Sequence, residues 1–531
     1  MKIFKINFNH DRIYYFGLVL TAICLPHSKL ALSLSMILLI SNWVFEFDFK
    51  RKLDVIKSNR SILIFTGIFI VHIIWLINTV NFEYAFRDLG NKAILILFPV
   101  IIGTSKKLTE KQIKSIMLWF TLAVVSSTII STLILIGIID LPVKNIRDIS
   151  VFMSHIRLSL LINIAIFSLG YFLFSDRYKN TKFEYIVYIT FILWLVIFLY
   201  LLKSFTGIFI FLITFFLVLG FVSFKIRHLV LRLFFQVSLI TIFLLLASYS
   251  THSISKFYTK QIIDFDNLEM FTESGNTYSN YKGHGQLENG NYLQLYVCDQ
   301  ELEKEWNAVS SIPYVGKDEK KQEIKYTLMR YLTSKGLRKD SVGISKLLLN
   351  DIKNIESGMA NYIFENKYAI YPKIYEIIWQ IDVYRKGFNP AGNSITLRAE
   401  FLKAAFGIIK NNFWFGVGTG DVKDSFRKQY EIDNSKLPKK NRLRAHNQFV
   451  TFFISFGIVG FILVLFSILY PVIKLQAYKN YLFVVFFIIA LLSFLNEDTL
   501  ETQIGITLFS FFYSLFLFGR RKILINTKEY E

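Results

Sequence analysis

A histidine stands beside a long apolar stretch near the C-terminal end of the chain. His446 follows Arg442 and Arg444, and residues 448–471 behind it are long and apolar enough to cross a bilayer. A neutral imidazole at the mouth of such a helix can accept a proton from a hydroxyl group near neutral pH. His446 is therefore a candidate general base; the alternative is an interfacial histidine among basic membrane anchors.

Two arginines have the chemistry to bind phosphate. Arg157 opens an apolar segment, where an arginine is costly in lipid unless it faces a protein interior, a cavity or an anion. Arg398 falls in the first turn of a helix that apolar spacing predicts over residues 394–410. A planar guanidinium can hold a phosphate through two hydrogen bonds, which lysine cannot reproduce. The alternatives are snorkelling for Arg157 and a surface salt bridge for Arg398.

The segment GVGTG at residues 416–420 resembles a phosphate-binding loop, but it does not lie between a strand and a helix, so nucleotide binding is rejected. We expect these glycines to allow tight turns of the backbone. No HExxH, GxSxG or Cys/His pattern occurs, so no metal and no cofactor is predicted. Three acidic residues in one loop are expected to be solvated: Glu497, Asp498 and Glu501.

Membrane-spanning helices must position these residues. The chain has 531 residues, 53% hydrophobic and 17% aromatic, which is typical of a polytopic membrane protein. Its net charge of +21 is explained by orientation signals and lipid phosphates, so the bilayer and not nucleic acid is the expected partner. Twelve apolar segments are predicted to span: residues 13–25, 29–46, 61–78, 89–104, 113–137, 154–174, 184–201, 204–223, 229–248, 447–472, 480–495 and 502–519.

Basic residues predict the orientation of these spans. With the N-terminus in the cytoplasm, lysine and arginine concentrate in the inside loops, and both termini become cytoplasmic. The predicted fold is an all-α polytopic membrane protein with about twelve transmembrane helices. Membrane regions at residues 1–248 and 446–531 flank one large, mainly helical periplasmic domain, residues 249–445, between the ninth and tenth spans. Helices are predicted in and beside it over residues 326–335, 341–355, 371–385 and 394–410.

Four stretches together resemble the O-antigen ligase family of membrane glycosyltransferases. They are SHIR at residues 154–157, the segment 398–421, the segment 446–460 and EDTLETQIG at residues 497–505. The resemblance implies transfer of a glycan from a polyprenyl diphosphate to an acceptor hydroxyl, such as one on lipid A-core, with inversion and without metal. The reaction would occur on the outer face of the bacterial inner membrane.

The resemblance also implies roles for the candidate residues. His446 would be the general base, and Arg157 and Arg398 would stabilise the diphosphate leaving group. Four further residues are predicted to support the site: Arg444, Asn447, Lys92 and Lys203.

Other functions remain open. The same site could polymerise repeat units or glycosylate protein, because these motifs do not encode the acceptor. A twelve-span protein could instead be a polysaccharide or lipid transporter, although transporters often have related halves and ionisable residues near the midplane. A scaffold with a periplasmic binding domain is a further alternative. Residues 270–370 look like an expansion within the family, and their sequence indicates no role.

Overall fold

The computed structural model describes residues 9–143, 146–175, 177–281, 286–366, 370–386 and 394–520. The chain ends for which a cytoplasmic location is predicted, residues 1–8 and 521–531, lie outside these ranges. The chain divides into two compact units. The first unit comprises Met1–Arg227 and Leu397–Glu531, and the second comprises His228–Thr396.

The first unit is helical throughout its described part. Polar residues begin several of its helices: Thr109 and Thr181 form capping boxes, and the Ser154 hydroxyl accepts from the backbone N–H of Arg157. Its N-terminal helices are α1 His10–Cys24, α2 Lys29–Phe45, α3 Phe49–Ser58, α4 Arg60–Ile74, α5 Phe82–Lys92, α6 Ile94–Thr104, α7 Glu110–Leu135, α8 His155–Phe174, α9 Lys182–Leu201 and α10 Phe205–Ser223.

The second unit begins with the long helix α11, Leu229–Tyr258, and continues into a small helical domain. Its core packs around buried residues that include Trp306, Tyr331 and Leu332. A two-stranded antiparallel hairpin joins β1 and β2. The remaining elements are β1 Leu287–Glu288, β2 Asn291–Tyr292, α12 Asp299–Val309, α13 Ile324–Ser334, α14 Ser341–Ser345, α15 Leu349–Glu356 and α16 Ile370–Arg385.

The chain then returns to the first unit. Helix α4 packs against the C-terminal helix α19 (Gln448–Lys474), and the two helices approach closely at Gly67, where an added Cβ would lie 2.6 Å from the Ser467 hydroxyl. Small residues allow this approach between membrane helices. The C-terminal helices are α17 Ser394–Asn411, α18 Val422–Ile432, α19 Gln448–Lys474, α20 Tyr481–Asn496 and α21 Gln503–Leu517.

Within the described residues, seven helical segments are long and apolar enough to cross a membrane, and the bent pair α2–α3 would make eight. Each of the twelve predicted segments contains a helix, but α1 has 15 residues, α6 has 11, α20 has 16 and α21 has 15. A straight span of about 30 Å needs about 20 residues. The chain is therefore a helical protein with seven to eight candidate spans, as expected for a polytopic membrane protein, and twelve spans stay a prediction.

Candidate functional site

His446 lies near the end of the link between α18 and α19, residues 433–447. Its backbone has a positive φ of 50°, a conformation that non-glycine residues adopt at a cost of about 1 kcal/mol or more. The next residue, Asn447, ties this part of the link to both α19 and α20. Its side-chain oxygen accepts from the Val450 N–H at 3.1 Å and caps α19, and its amide donates to the Leu495 carbonyl of α20 at 3.1 Å. The imidazole is thus held beside the end of α20.

Glu497, the first residue after α20, faces this imidazole. The Nδ1 atom of His446 lies 3.9 Å from the Oε2 atom of Glu497, whose side chain is 20% exposed. Burial raises the pKa of Glu497, and the positive charges of His446, Arg157 and Arg398 act against this rise. Arg398 also donates to Asn496, the residue immediately before Glu497. Three predicted site residues therefore converge around Glu497.

Both arginines keep most of their hydrogen-bonding capacity. Nη1 of Arg157 donates to the Ser154 hydroxyl at 3.3 Å, and Nη1 of Arg398 donates to the Asn496 side-chain oxygen at 3.4 Å. Within the described ranges, neither guanidinium forms an ion pair with a carboxylate. Two half-buried guanidiniums with unused donors can bind an anion.

A second group of charges lies on the other side of the α20–α21 loop. The ammonium of Lys92 lies 2.6 Å from Asp88 and 3.1 Å from Glu501, and Arg444 binds the second oxygen of Glu501 at 3.0 Å. Burial alone would raise the pKa of Glu501, but Lys92 and Arg444 outweigh it and hold the pKa well below its usual range. Arg444 also donates to the Tyr84 hydroxyl at 2.5 Å. These five residues form a connected, largely buried network.

This network corrects the expectation that the three loop acids are solvated. The Glu501 side chain is only 11% exposed and carries two cations, one of them from α5. Asp498 accepts from the Thr451 hydroxyl at 2.7 Å, and burial raises its pKa. The acids are buried because charged and polar partners on α5, α19 and the preceding link surround them.

The four residues predicted to support the site have different surroundings. Lys92 and Arg444 are engaged by carboxylates in the network, and Asn447 holds the His446 link. Lys203 is exposed after α9, with a positive φ of 49°. Its neighbour Ser204 bonds Ser159 of α8 at 3.2 Å, but no contact within the described part of the chain joins Lys203 to His446 or Glu497. That these four predicted residues support phosphate binding stays a prediction.

The glycine-rich segment interlocks with a break in α19. Gly457 interrupts that helix with a φ of 60° and a ψ of −170°. The freed backbone groups pair with the loop: Val417 N–H donates to the Ile454 carbonyl at 2.8 Å, and Gly418 N–H donates to the Ser455 carbonyl at 2.9 Å. These amides are already used, so they cannot cradle a phosphate. This pairing agrees with a turning role and not with nucleotide binding.

The far end of the same loop holds the segment between α4 and α5. The carboxylate of Asp421 accepts from the backbone N–H groups of Val80 at 2.7 Å and Asn81 at 2.9 Å. The Thr419 hydroxyl donates to the His72 carbonyl at 2.6 Å. The loop therefore clamps α19 to the start of α5, the helix that carries Lys92 into the charge network.

Comparison with known protein families identifies this region. Residues 348–465 match the family model described as O-antigen ligase. This part of the chain is similar to the O-antigen ligase family. The match contains Arg398, the glycine loop and His446, and it confirms the resemblance inferred from the sequence. No curated protein matches the chain.

Beside His446 lies a cavity of about 780 Å³, lined mainly by residues within the matched segment and also by Tyr84, Asp498 and Glu501. Two of its three acidic residues, Asp498 and Glu501, already have hydrogen-bonding or ionic partners. The cavity therefore has excess positive charge and suits a ligand with anionic groups. Among the described residues no group of three His, Cys, Asp or Glu side chains could hold a metal ion. The basic lining residues are Lys423, Arg427, Lys439, Lys440, Arg442 and Arg444.

Sequence reasoning missed the contacts of the loop acids at the candidate site. Glu497 orients towards His446, and Glu501 anchors the network, yet three acids in one loop look solvated when no partner is known. One signal was available: EDTLETQIG contributed to the family resemblance. A second was the i, i+4 spacing of Asp88 and Lys92 on one helix face.

Proposed function

We propose that this chain is an O-antigen ligase-like glycosyltransferase. It moves a glycan from a polyprenyl diphosphate to an acceptor hydroxyl, on lipid A-core or a similar acceptor, at the outer face of the inner membrane. The observation that carries the proposal is the convergence of His446, Arg157 and Arg398 on Glu497. A base and two phosphate-binding cations are the groups that this displacement requires.

In the proposed step, the acceptor oxygen attacks the anomeric carbon and forms the new glycosidic bond. The bond between that carbon and the diphosphate oxygen breaks, and the configuration at the carbon inverts. The acceptor proton passes to Nε2 of His446, because Nδ1 faces Glu497. The carboxylate then stabilises the imidazolium, as an acid does beside a catalytic histidine. Arg157 and Arg398 hold the departing polyprenyl diphosphate as an anion.

The proposed arrangement in the membrane follows the charge of the loops. It has about twelve spans, membrane regions at residues 1–248 and 446–531, and residues 249–445 in the periplasm, with both termini in the cytoplasm. The positively charged cavity beside His446 supports an acceptor that carries phosphate or carboxylate groups. Polymerisation of repeat units and O-glycosylation of protein use the same chemistry and differ in the acceptor.

A deletion strain tests the proposal and separates these reactions. We expect loss of a ligase to leave long polymer on polyprenyl diphosphate, whereas loss of a polymerase leaves single-repeat caps on a glycolipid gel. Wild-type protein and the control His228→Ala, an exposed histidine before α11, should restore the product. His446→Ala at normal abundance should not, because general-base assistance is worth about 10²–10⁴-fold. Restoration by His446→Ala would refute the proposal.

A further inference from the structure

The second unit contains a cavity of about 910 Å³, within the range of sites that take small organic ligands, about 300–1,000 Å³. Its walls come from the end of α11, the β1–β2 hairpin, α13 and α16. All of them belong to the second unit. Much of the lining lies within residues 270–370, the expansion for which the sequence indicates no role.

The β1–β2 hairpin gives the cavity a preformed wall. Asn289 and Gly290 have positive φ angles of 50° and 85°, as a two-residue hairpin turn requires. Gly290 lies against the chain just after α11, because an added Cβ would be 2.3 Å from the Thr259 carbonyl oxygen. The Gly290 carbonyl also accepts from the Gln261 N–H at 2.9 Å. The hairpin is therefore fixed to the end of α11.

Six of the sixteen lining residues are aromatic. Phe257 and Tyr375 have ring centroids 4.9 Å apart at an interplanar angle of 60°, and Phe265 and Tyr292 have centroids 5.3 Å apart at 85°. Tyr375 is buried, but Phe257, Phe265 and Tyr292 are only partly buried. Aromatic faces carry partial negative charge and attract the partly positive C–H groups of a sugar ring. Tyr258 and Trp379 complete the aromatic set.

The charged residues of the lining are largely neutralised in pairs. Arg330 lies 2.6 Å from Glu288, and Lys386 lies 2.6 Å from Asp382. The cavity therefore has little net charge to select an ionic ligand, in contrast to the basic cavity beside His446. Glu288 is buried and accepts from Arg330, Asn361 and Tyr375, whereas the partly exposed carboxylate of Asp382 retains lone pairs that can accept hydroxyl protons. Aromatic faces with hydrogen-bonding groups and little net charge fit a neutral, hydroxyl-rich ligand.

We propose that this cavity binds a short segment of neutral glycan. The choice of a glycan as the ligand, over other neutral polyhydroxylated compounds, rests on the proposed function. The cavity adds a glycan contact in the second unit that is distinct from the transfer chemistry at His446. Phe257 and Tyr258 end a candidate span, where aromatic residues also face lipid headgroups, so lipid is the competing occupant.

Binding is tested with the full chain in detergent micelles, in the His446→Ala background so that no transfer consumes the ligand. The probe is the oligosaccharide released by mild acid from the polyprenyl-linked glycan of the host. We expect saturation-transfer NMR and tryptophan fluorescence to report binding. Trp379→Ala and the more exposed Tyr258→Ala should each weaken it at least tenfold. Tyr326→Ala, an exposed tyrosine of the same unit outside the cavity, should not.

Two results would overturn the glycan site: no binding of the oligosaccharide, or binding that Trp379→Ala and Tyr258→Ala leave unchanged. Displacement of the oligosaccharide by phosphatidylglycerol at equal concentration would also overturn it and assign the cavity to lipid. The transfer assay separates the two proposals. Oligosaccharide binding without any transfer by the wild-type chain would refute the proposed function alone, and transfer without oligosaccharide binding would refute the cavity alone.

Discussion

The Nδ1 atom of His446 lies 3.9 Å from the Oε2 atom of Glu497. The two residues come from different elements, the link before α19 and the loop after α20. Because Nδ1 faces the carboxylate, Nε2 is the atom left for an acceptor hydroxyl. An acid in this position orients the imidazole and stabilises its protonated form. Glu497 is therefore a positioning residue for the proposed base.

Glu497→Gln should lower the rate of transfer. The amide keeps the size of the side chain but removes the negative charge that stabilises the imidazolium, so the expected loss is about 10- to 100-fold. Burial raises the pKa of Glu497, so wild-type transfer should also fall as the pH drops through that pKa and the carboxylate is protonated. The variant should lack this component of the pH profile. Transfer rates measured against pH, per amount of folded protein, provide the check.

Glu303→Gln, an exposed glutamate of the second unit, is the matched control and should keep the wild-type profile. A merely structural role for Glu497 would lower the amount of folded protein without changing the pH dependence of the rate. An unchanged profile in Glu497→Gln would therefore argue against the His446–Glu497 relationship as a part of the reaction.

Arg157→Lys and Arg398→Lys should each reduce transfer about tenfold or more, although the charge is kept. The ammonium cannot form the two parallel hydrogen bonds of a guanidinium with a phosphate. Inorganic diphosphate should inhibit wild-type transfer more strongly than transfer by either variant. Arg177→Lys, in an exposed loop, is the control. Wild-type rates and inhibition in Arg157→Lys would support simple snorkelling to the membrane interface.

Local patterns predicted much of the framework. Apolar spacing predicts a helix over residues 394–410, and α17 is observed at Ser394–Asn411. The segment 341–355 was predicted as one helix, but it forms α14 and α15, with Leu348 between them in an extended conformation. The break in α19 was also missed. Residues 448–471 are predominantly apolar, and a glycine such as Gly457 is also tolerated within a continuous helix, so the pattern does not predict the interruption.

The charges of the site depend on contacts that are distant in sequence. Lys92 and Glu501 are 409 positions apart, and no local pattern pairs them. When the pairing is not known, the sequence predicts a solvated loop residue at Glu501 and a cation available for phosphate at Lys92. The residue types at the site were therefore visible in the sequence, while their ionic partners depended on the packing of α5 against the C-terminal helices.

Glu501→Gln should destabilise the first unit. Removing one partner of a buried ion pair costs about 3–5 kcal/mol, because the remaining charges lose their compensation. Lys92 keeps Asp88, so Arg444 loses most. Thermal unfolding of the purified protein in detergent measures the effect. The double variant Arg444→Met/Glu501→Leu should recover part of the loss, because Lys92 keeps Asp88 and apolar replacement of a whole buried pair is often tolerated.

The carboxylate of Glu501 should also make the stability of the first unit depend on pH. The cations hold the pKa of Glu501 below its ordinary value, so its stabilisation is present above the ordinary glutamate pKa, about 4.3, and is lost as the pH falls below it. Glu501→Gln should flatten this acidic decline. Asp11→Asn, which breaks an exposed pair with Lys106, should leave it unchanged. An equally steep decline in Glu501→Gln would show that other acids cause it.

Gly457→Ala should loosen the clamp between the glycine loop and α19. An added Cβ would lie 2.3 Å from the Trp414 carbonyl oxygen, and the backbone at Gly457 is one that only glycine adopts readily. We expect a loss of about 1–3 kcal/mol in the free energy of unfolding. Transfer should also fall, because the loop positions α5 and its charge network.

Gly220→Ala is the control: Gly220 lies in α10 with no neighbouring atom within 4 Å of an added Cβ. There, alanine favours the helix by up to about 1 kcal/mol. Equal unfolding temperatures for the two variants would contradict the clamp.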